Sequence, residues 1–572
     1  MSHELACILL TETINHSLYS SRKPIFALFL DARSAFDRVL RKNLIRNMFF
    51  SGTNDQRLLY IDNRLSNRQT YCDFNHQLMG PINDTRGLEQ GGVFSSDSYK
   101  IYNNDQVIIS HNSYLGVNLY EQCISCISLA DDTVLVSDSL VNLNNLLYLN
   151  IQQCRRNDVD LVPEKTKLVA FATHEDAELK YAKLVSPISI NGNSVHFSDE
   201  AEHLGVIRSS CGSNMPNIMK RMSAHRGKLY SLLPAGLARG HSASPYAILK
   251  IERLYALPVL ISGLGSLVLS KSEYKVLHDY YKNCLRRILK LPEDTPECFL
   301  FLVSGSLPFS ALLHCRILSL FNMICNLQNN PLNFIAYNAL TRSRPSSKSW
   351  FHMVKDLTIQ YDLPHPLRLL ESPLPKDRFK GLFKSKIHQY WRQYLTIQCS
   401  GMTSLRFLQP GFCSLQQPHP MLTYSFGNYV DARALTIQLL LLAGRYRTEK
   451  LRRHWSSNKG GFCLNQVCYN LKHIDDEEHF LLHCPALVCE RRRLFNKISI
   501  YCRDKPVLSD LVCRYLYNAD DLLKMQFLLD ASTLPDVVSA FQVHGNYILA
   551  ECFKIGRLWC LSLHNARLRE MK

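Results

Sequence analysis

ISLADDTVLV, residues 127–136, sets two adjacent carboxylates between two apolar, partly β-branched runs. Runs of this kind predict two short strands, and the acidic pair between them predicts a hairpin whose turn carries Asp131 and Asp132. Two acids at a turn are most often no more than a turn. They can also hold a hard divalent cation, which prefers oxygen ligands. A cation site would require further ligands from elsewhere in the chain.

The composition is that of a globular protein large enough for several domains. The chain has 572 residues, of which 46% are hydrophobic and 20% charged. At roughly 150 residues per domain, this length predicts three or four domains. Lysine and arginine total 66 against 49 acidic residues, a formal net charge of +17. This charge favours an anionic partner, with nucleic acid ahead of a membrane surface.

Cysteine usage and apolar runs predict a soluble intracellular protein with no membrane partner. The 20 cysteines are scattered and lack the dense spacing of a disulfide scaffold, so we expect reduced thiols. Residues 1–19 do not have the pattern of a signal peptide. The longest apolar run, residues 254–269, is interrupted by Pro258, Gly263 and Gly265 and is too short to span a bilayer.

The hydrophobic periodicity changes along the chain and predicts an α+β protein. Residues 1–206 mix strands, near 24–30, 124–137 and 166–172, with helices such as 43–50. Residues 207–340 are mainly helical. A stretch rich in Pro, Ser and Lys, 341–430, predicts an irregular connection, and a helical C-terminal domain follows over 431–572. Residues 3–10 have the pattern of an amphipathic helix without an N-cap, so we expect the chain to begin inside a domain.

Four further segments carry residue types that suit a cation or nucleotide site. An apolar strand ends at Asp31 in LDARSAFD (30–37). GLEQGG (87–92) is a glycine turn that allows close backbone approach to a ligand, and a helix with a Ser/Asp cap is expected after it. EKTK (164–167) and EHLGV (202–206) follow. Each segment alone is a weak sign of function, because an acid at a strand end is usually a turn or cap residue.

In this order and spacing, the five segments resemble the palm of a reverse transcriptase of the non-LTR (LINE-type) retrotransposons. The resemblance implies a palm with partial fingers over residues 1–206 and a helical thumb over 207–340. It implies an RNA-directed DNA polymerase that adds deoxynucleoside triphosphates to a DNA primer on an RNA template, with two magnesium ions. Such elements prime synthesis on chromosomal DNA, so it also implies a nuclear and/or cytoplasmic location.

The resemblance also implies roles for individual residues. Asp31 and Asp131 would hold the two magnesium ions, and Asp132 would support them as the third catalytic acid. Phe36 would lie beneath the sugar of the incoming nucleotide and exclude a 2′-hydroxyl. Gln90 and Gly91 would line the nucleotide and template pocket, and Lys165 or Lys167 would lie near the departing pyrophosphate.

Several departures from the family pattern keep other interpretations open. Leu129 stands where the family often has an aromatic residue, and Glu89 stands where a basic residue is common. About thirty residues precede Asp31, fewer than the finger segments of relatives need, and no endonuclease domain is visible. The alternatives are a fragment of a longer element and an inactive remnant that binds nucleic acid. A polymerase that makes RNA is a third, which the bulky Phe36 disfavours.

Basic residues cluster on a helix early in the predicted thumb. Its apolar positions alternate with Lys220, Arg221, His225, Arg226 and Lys228. Lys220, Arg221, Arg226 and Lys228 are candidates for contact with the nucleic-acid backbone, as are Arg286, Arg287 and Lys290 further along. A solvated helix face is an equally simple explanation.

A second cluster of candidate ligands lies near the C-terminus. Cys463-x4-Cys468-x10-His479-x4-Cys484 has the ligand types of a closed structural zinc site, although ordinary core thiols are an alternative. EEHFLLHCP (477–485) resembles the Cys/His segment near the C-terminus of many non-LTR retrotransposon proteins. His473 and His483 are substitute ligands. Arg491, Arg492 and Arg493 on the next helix either contact phosphate or face solvent.

Overall fold

The computed structural model describes residues 2–570 except 67, 84, 90, 174–187, 232–243, 328–329, 343–347, 424–428 and 454–459. Contacts divide the chain into two compact units. The first unit comprises Met1–Lys220, Ser262–Glu273 and Leu313–Phe383, and the second comprises Arg221–Ile261, Tyr274–Leu312 and Lys384–Lys572. The units interleave along the chain, whereas the four predicted segments follow one another. The predicted boundaries at 206, 340 and 430 stay a prediction.

Every strand of the described chain lies between residues 25 and 209, and every strand pairing within the sheets is antiparallel. The strands are β1 (Ile25–Leu30), β2 (Gln69–Phe74), β3 (Gln77–Asn83), β4 (Val117–Leu119), β5 (Gln122–Ile124), β6 (Cys126–Leu129), β7 (Asp132–Ser137), β8 (Lys167–Phe171), β9 (Ser189–Ile190), β10 (Asn193–Ser194), β11 (Glu200–His203) and β12 (Val206–Ser209). The central sheet has the order β6-β7-β1-β8. The other strands form two-stranded hairpins.

Helices make up most of the remaining described chain. The first unit's leading part contains α1 (His3–Asn15), α2 (Arg41–Phe50), α3 (Asp55–Ser66), α4 (Ser95–Asn112) and α5 (Leu140–Arg156). Later helices are α6 (Met215–Ser231), α7 (Pro245–Ile251), α8 (Leu257–Ile261), α9 (Lys271–Leu289), α10 (Glu297–Ser304), α11 (Phe309–Cys325), α12 (Pro331–Arg342), α13 (Trp350–Gln360), α14 (Pro366–Glu371), α15 (Lys376–Ser400), α16 (Pro420–Thr423), α17 (Tyr429–Leu442), α18 (Glu449–Arg452), α19 (Gln466–Asn470), α20 (Val488–Cys502), α21 (Pro506–Val512), α22 (Asp521–Asp530), α23 (Pro535–His544) and α24 (Asn546–Glu570). The α+β prediction is therefore confirmed, and β1, β5 to β8 and α2 lie where the patterns predict strands and a helix.

The strand β1 in the middle of the central sheet is buried. All six residues of β1 are buried, as expected for a strand without polar alternation. Phe26, Leu28 and Leu30 pack in one hydrophobic cluster with Leu143 and Leu146 of α5. A second cluster joins α2, α3 and α4 around Tyr99 and Tyr102 and supports the segment that follows β1.

Helix α1 differs from its prediction in two respects. The Ser2 side chain caps it, accepting a hydrogen bond from the Leu5 amide at 3.4 Å. Residues 4–14 are buried on every side, so the helix is not amphipathic in its environment. Its two acids are matched inside this unit: Glu4 pairs with Arg316, and Glu12 accepts hydrogen bonds from Ser349 Oγ (2.8 Å) and the Trp350 amide (2.9 Å).

The predicted irregular connection over 341–430 is wrong for much of its length. Helices α13, α14 and α15 occupy 350–360, 366–371 and 376–400. Pro366 lies in the first turn of α14, where a missing amide hydrogen costs nothing, and Pro373 and Pro375 lie between helices. The prolines therefore separate short helices, a role that composition alone does not distinguish from an irregular chain.

Among the described residues, no single helix is long and apolar enough to cross a membrane. Helices α10 and α11, joined with a bend, pass the same length and composition test only as a pair.

We expect Glu12→Gln to remove a pH dependence from folding stability. Burial raises the pKa of Glu12 to about 7 from a usual 4.5, with hydrogen bonds from Ser349 and Trp350 opposing part of the rise. The folded state therefore favours the protonated form of Glu12. The contribution of Glu12 to the free energy of unfolding is greatest below pH 4.5 and falls by about 3 kcal/mol as the pH rises from 4.5 through 7. Chemical denaturation between pH 4.5 and 8 should show the free energy of unfolding of the parent chain falling by about 3 kcal/mol relative to that of Glu12→Gln, since buried histidines such as His203 add the same pH dependence to both chains.

Glu293→Gln, at an exposed position, serves as the matched control and should keep the parent slope. An unchanged slope in Glu12→Gln would contradict the assignment.

Candidate active site and candidate metal site

The predicted acidic hairpin is present, with its turn held in a strained conformation. Leu129 pairs with Asp132, which leaves Ala130 and Asp131 as a two-residue turn between β6 and β7. Ala130 has a φ of 55°, a left-handed conformation that costs a residue with a Cβ about 1–2 kcal/mol. The Ala130 carbonyl accepts a hydrogen bond from Asn103 of α4 at 3.4 Å, and this bond helps fix the turn.

Antiparallel pairing of β1 with β7 brings Asp31 to this turn. The register runs from Phe26 opposite Ser137 to Leu30 opposite Thr133, so the next residue of β1, Asp31, lies beside Asp132. The Asp31 carbonyl accepts a hydrogen bond from the Val162 amide at 2.9 Å, which fixes the backbone there. The structure therefore brings Asp31, Asp131 and Asp132 together at one end of the central sheet.

The carboxylates around Asp132 disfavour its ionised form. Desolvation raises the pKa of Asp132, and the charges of Asp131 and Asp31 raise it further, followed by that of Glu202. Like charges this close disfavour full ionisation, and a bound cation relieves the repulsion. The donor set, made of carboxylate oxygens, suits a hard divalent cation such as magnesium.

Lys165 lies next to Asp31. Its Nζ is 3.8 Å from Asp31 Oδ2, and both side chains are partly exposed. Lys167 is exposed at the start of β8, opposite Phe29 of β1. Thr166, between them, accepts a hydrogen bond from the Asp31 amide at 3.4 Å. Thr166 was not singled out from the sequence, although it lies inside the EKTK segment.

The glycine turn packs against the segment that follows Asp31. The Leu88 amide donates to the Phe36 carbonyl at 2.8 Å, and the Gly87 amide donates to the Val39 carbonyl at 2.9 Å. Gly87 has a φ of 80°, and a Cβ there would lie 2.7 Å from the Asp37 carbonyl oxygen, so only glycine fits. Gly91 also has a positive φ and faces open space. Gln90 lies outside the described residues.

The helix after this turn lacks the Ser/Asp cap that the sequence predicts. Phe94 occupies the N-cap position without a capping hydrogen bond from its side chain. Asp97 instead pairs with Lys100 one turn along, at 2.7 Å. The helix begins at Ser95, so Ser95 and Asp97 lie inside its first turn rather than at the N-cap position.

Phe36 and Tyr99 form a stacked pair beside the acids. Their ring centroids are 4.9 Å apart with 28° between the planes. Tyr99 is buried, and burial together with the charge of Asp131 raises its pKa well above the usual range. Tyr99 therefore connects Phe36 to the acidic turn. The sequence alone could not show which ring supports Phe36.

Glu202 is a fourth acid near the site that sequence reasoning missed. It lies on β11 and contributes to the raised pKa of Asp132. Lys220 Nζ pairs with Glu202 at 2.7 Å, so this predicted backbone-binding lysine is already engaged by an acid of its own unit. The EHLGV segment was a candidate from the sequence, but the approach of Glu202 to Asp132 depends on tertiary packing.

The other candidates on α6 lie in the second unit and differ from one another. Lys228 Nζ is 3.3 Å from Tyr255 Oη and lies over its ring. Arg221 is half-buried, and Arg226 is exposed. His225 is not part of a basic surface: it is fully buried, with Nδ1 2.9 Å from Tyr280 Oη. The inclusion of His225 in the basic cluster is therefore wrong, because His225 lies on the buried face of α6.

The predicted Cys/His ligands form a buried cluster in the second unit. One ligand atom from each of Cys463, Cys468, His479 and Cys484 lies within 4.8 Å of all the others. Cys463 Sγ and Cys484 Sγ are 3.9 Å apart, close to the roughly 3.8 Å that two 2.3 Å zinc–sulfur bonds give in a tetrahedron. His479 Nε2 is buried without a hydrogen-bond partner among the described residues. The donor set therefore fits a tetrahedral metal ion.

Neither substitute histidine belongs to this cluster. His473 stacks on His479 and accepts, through its carbonyl, a hydrogen bond from the Cys463 amide at 2.9 Å. His483 is exposed, and its Nε2 lies 3.1 Å from Asp521 Oδ2. His479 is therefore the imidazole of the cluster, a choice that spacing alone left open.

A buried ion pair fixes the chain around the cluster. Asp475 is fully buried and accepts two hydrogen bonds from Arg567 of α24, at 2.9 and 2.6 Å. The Glu449 amide also donates to Asp475, at 2.7 Å. Removal of one partner from a buried ion pair of this kind strongly destabilises the fold, because the other charge is left buried and unpaired. The arrangement anchors the metal-site loop to the C-terminal helix.

The three consecutive arginines of α20 do not share one environment. Arg491 is buried and donates a hydrogen bond to the Cys484 carbonyl at 2.6 Å. Arg492 and Arg493 are exposed, and Arg493 pairs with Glu490 at 3.6 Å. The alternative prediction that these arginines form a solvated helix face is therefore wrong for Arg491, which lies on the buried face of α20.

Comparisons with known proteins agree with the first unit's geometry. Residues 4–207 match the family model described as reverse transcriptase (RNA-dependent DNA polymerase). The chain is 24% identical over 193 residues to the retrovirus-related Pol polyprotein from type-1 retrotransposable element R2 of Popillia japonica. The aligned part is 33% of this chain and 32% of that protein, so the match spans about a third of the relative's length. Residues 4–207 are thus a reverse transcriptase domain, distantly similar to that of a non-LTR retrotransposon protein.

Proposed function

We propose that this chain is an RNA-directed DNA polymerase of a non-LTR retrotransposon, extending the 3′-hydroxyl of a DNA primer on an RNA template. The observation that carries the proposal is the meeting of Asp31, Asp131 and Asp132 at one end of the central sheet, inside a reverse transcriptase domain. The match spans only part of its relative, so the activity of the whole protein belongs to the proposal.

Each acidic side chain has a role in this proposal. Asp31 and Asp131 hold two magnesium ions, which when bound activate the primer hydroxyl and neutralise phosphate charge. Asp132 supports them as the third acid of the group. Lys165, 3.8 Å from Asp31, provides a cation close enough to interact with the leaving pyrophosphate, and Lys167 lies in the same segment.

Phe36 selects the sugar of the incoming nucleotide in this proposal. Its ring is supported by Tyr99, which is buried and cannot easily shift. A rigid ring beneath the sugar leaves no room for a 2′-hydroxyl, so ribonucleotides are rejected by steric exclusion. Gly91 contributes to the nucleotide and template pocket in this proposal, a role that Gln90, outside the described residues, is expected to share.

The template and primer are held by contacts to their phosphates. Arg221, Arg226 and Lys228 contribute positive charge on α6, in addition to Lys220, which is shared with Glu202. Contacts of this kind do not read sequence and weaken as salt concentration rises.

We also propose that Cys463, Cys468, His479 and Cys484 bind one structural zinc ion. Three thiolates and one imidazole with no open position are typical of structural zinc rather than catalytic zinc. Burial raises the pKa of Cys468 to about 11, so a bound cation is needed to keep its thiolate at neutral pH.

Asp131→Asn should abolish primer extension. The amide keeps the size of the side chain but removes the negative charge that holds a cation, so a loss of roughly a thousandfold, or about 4 kcal/mol in the barrier, is expected. Extension of a DNA primer on an RNA template by the full chain measures the effect. Asp73→Asn, on an exposed strand, is the matched control and should retain activity. Equal activity in both variants would refute the catalytic role, and an inactive parent chain with intact binding would favour the nucleic-acid-binding remnant.

Phe36→Ala should admit ribonucleotides. Removal of the ring opens space beneath the sugar, so the preference for dNTP over rNTP in single-nucleotide insertion should fall by at least about tenfold. Phe50→Ala, at a largely exposed position on α2, should leave the preference unchanged. A parent enzyme that already uses both sugars equally would show that Phe36 does not act as the steric block and would favour an RNA-making polymerase.

Cys468→Ser should release the zinc. We expect the purified parent chain to contain one equivalent of zinc by elemental analysis, and the variant to contain little and to unfold at a lower temperature, since metal binding contributes to folding. Cys489→Ser is the matched control because Cys489 lies five residues beyond Cys484 but is exposed and outside the cluster. A parent chain without zinc would show that the cluster consists of ordinary core thiols, and full zinc content in Cys468→Ser would show that Cys468 is not a ligand.

A further inference from the structure

A second group of candidate metal ligands lies in the second unit, outside the Cys/His cluster. Its members are Glu478, His483 and Asp521, each of which offers one nitrogen or oxygen atom, and these atoms all lie within 4.8 Å of one another. The donor set is one imidazole and two carboxylates. Magnesium prefers oxygen ligands alone, whereas a divalent transition metal such as zinc accepts this mixture of nitrogen and oxygen.

A π-helical turn brings Glu478 and His483 to the same side of the chain. Residues His479–His483 form this turn, and the Cys484 amide donates to the His479 carbonyl at 2.7 Å. A hydrogen bond between residues five apart is that of a π-helix, in which positions five apart lie nearly one above the other. In an α-helix the same two positions would point about 140° apart. His479 belongs to the Cys/His cluster, so one short segment supplies ligand atoms to two groups.

The three ligand atoms converge at distances that one metal ion can bridge. His483 Nε2 lies 3.1 Å from Asp521 Oδ2 and 3.9 Å from Glu478 Oε1. Two bonds of about 2.1 Å in a tetrahedron separate their ligand atoms by roughly 3.4 Å, a value between these two distances. The side chains are partly exposed, so small rotations can close the remaining difference.

The other oxygen of each carboxylate is held by a basic side chain. Arg406 Nη2 donates to Glu478 Oε2 at 3.4 Å, and Lys524 Nζ donates to Asp521 Oδ1 at 3.3 Å. Hydrogen bonds of this kind orient the carboxylates of metal sites, and here they leave Oε1 and Oδ2 facing His483. The two positive charges also disfavour a bound cation, so the affinity should be lower than that of the Cys/His cluster.

Three protein ligands leave part of the coordination sphere of a metal ion open. His483 and Asp521 line a cavity of about 490 Å³, so water has room to complete the coordination. A structural zinc ion is enclosed by four protein ligands, whereas an ion with three protein ligands keeps a position for water. We therefore expect an ion that exchanges with solvent.

We propose that Glu478, His483 and Asp521 bind one exchangeable zinc ion. The ion connects the π-helical turn to the first turn of α22, which carries Asp521. All three ligands lie in the second unit, so this site does not depend on the proposed polymerase activity. None of its ligands is a cysteine of the Cys/His cluster, so the two groups can be tested separately.

Zinc titration of the full chain against a chromogenic chelator tests this inference. The buffer contains excess magnesium, which competes with zinc for the acidic site of the first unit. We expect an exchangeable equivalent of zinc whose Kd rises by at least about tenfold in Asp521→Asn and in His483→Gln, because each variant removes one of three ligands. Asp504→Asn and His544→Gln, at exposed positions outside the group, are the matched controls and should keep the parent Kd.

Chemical protection locates the ion in the parent chain without any substitution. Zinc should protect His483 from carbethoxylation by diethyl pyrocarbonate, measured by peptide mass spectrometry, whereas His544 should react equally with and without zinc. Tightly bound zinc of the Cys/His cluster should remain in Asp521→Asn. A Kd unchanged in Asp521→Asn, or a reaction of His483 that zinc does not slow, would overturn the proposal and indicate a histidine held between two carboxylates without a metal.

Discussion

The antiparallel pairing of β1 with β7 is the constraint on which the acidic site depends. It joins two segments that are one hundred residues apart and places Asp31 beside the turn that carries Asp131 and Asp132. A slip of one residue in this register would exchange the two faces of β1, so that Phe26, Leu28 and Leu30 would lose their packing against α5. Burial of the sheet therefore fixes the position of polar groups at its end.

The same pairing concentrates features that are unfavourable for stability. The charges of Asp31 and Asp131 disfavour ionisation of Asp132, and the turn that carries Asp131 also contains a left-handed alanine, Ala130. Surrounding structure compensates through the Asn103 hydrogen bond and the stacked pair of Phe36 and Tyr99. Backbone strain and clustered like charges are common at cation-binding sites, because the positive charge of the bound cation offsets the repulsion between the carboxylates.

Apolar runs and residue spacing in the sequence predicted those parts of both sites that are formed within short stretches of the chain. The strand before Asp31, the acidic hairpin and the four ligands of the metal cluster were all visible as apolar runs or as spacing. Features that depend on tertiary packing were not: the burial of His225 and Arg491, and the direction of Glu202. Helices α13 to α15 were missed for a related reason, because proline marks helix starts and loops alike.

The most direct test of the acidic site is cleavage of the chain by hydroxyl radicals from ferrous ion bound in place of magnesium. Radicals cut the backbone close to the bound ion, so mass spectrometry of the fragments maps the ligands without any assay of polymerisation. We expect magnesium-competed cleavage both next to Asp31 and within Ala130–Asp132. Cleavage at only one of these segments, or at neither, would contradict a single cation site built by the pairing of β1 with β7.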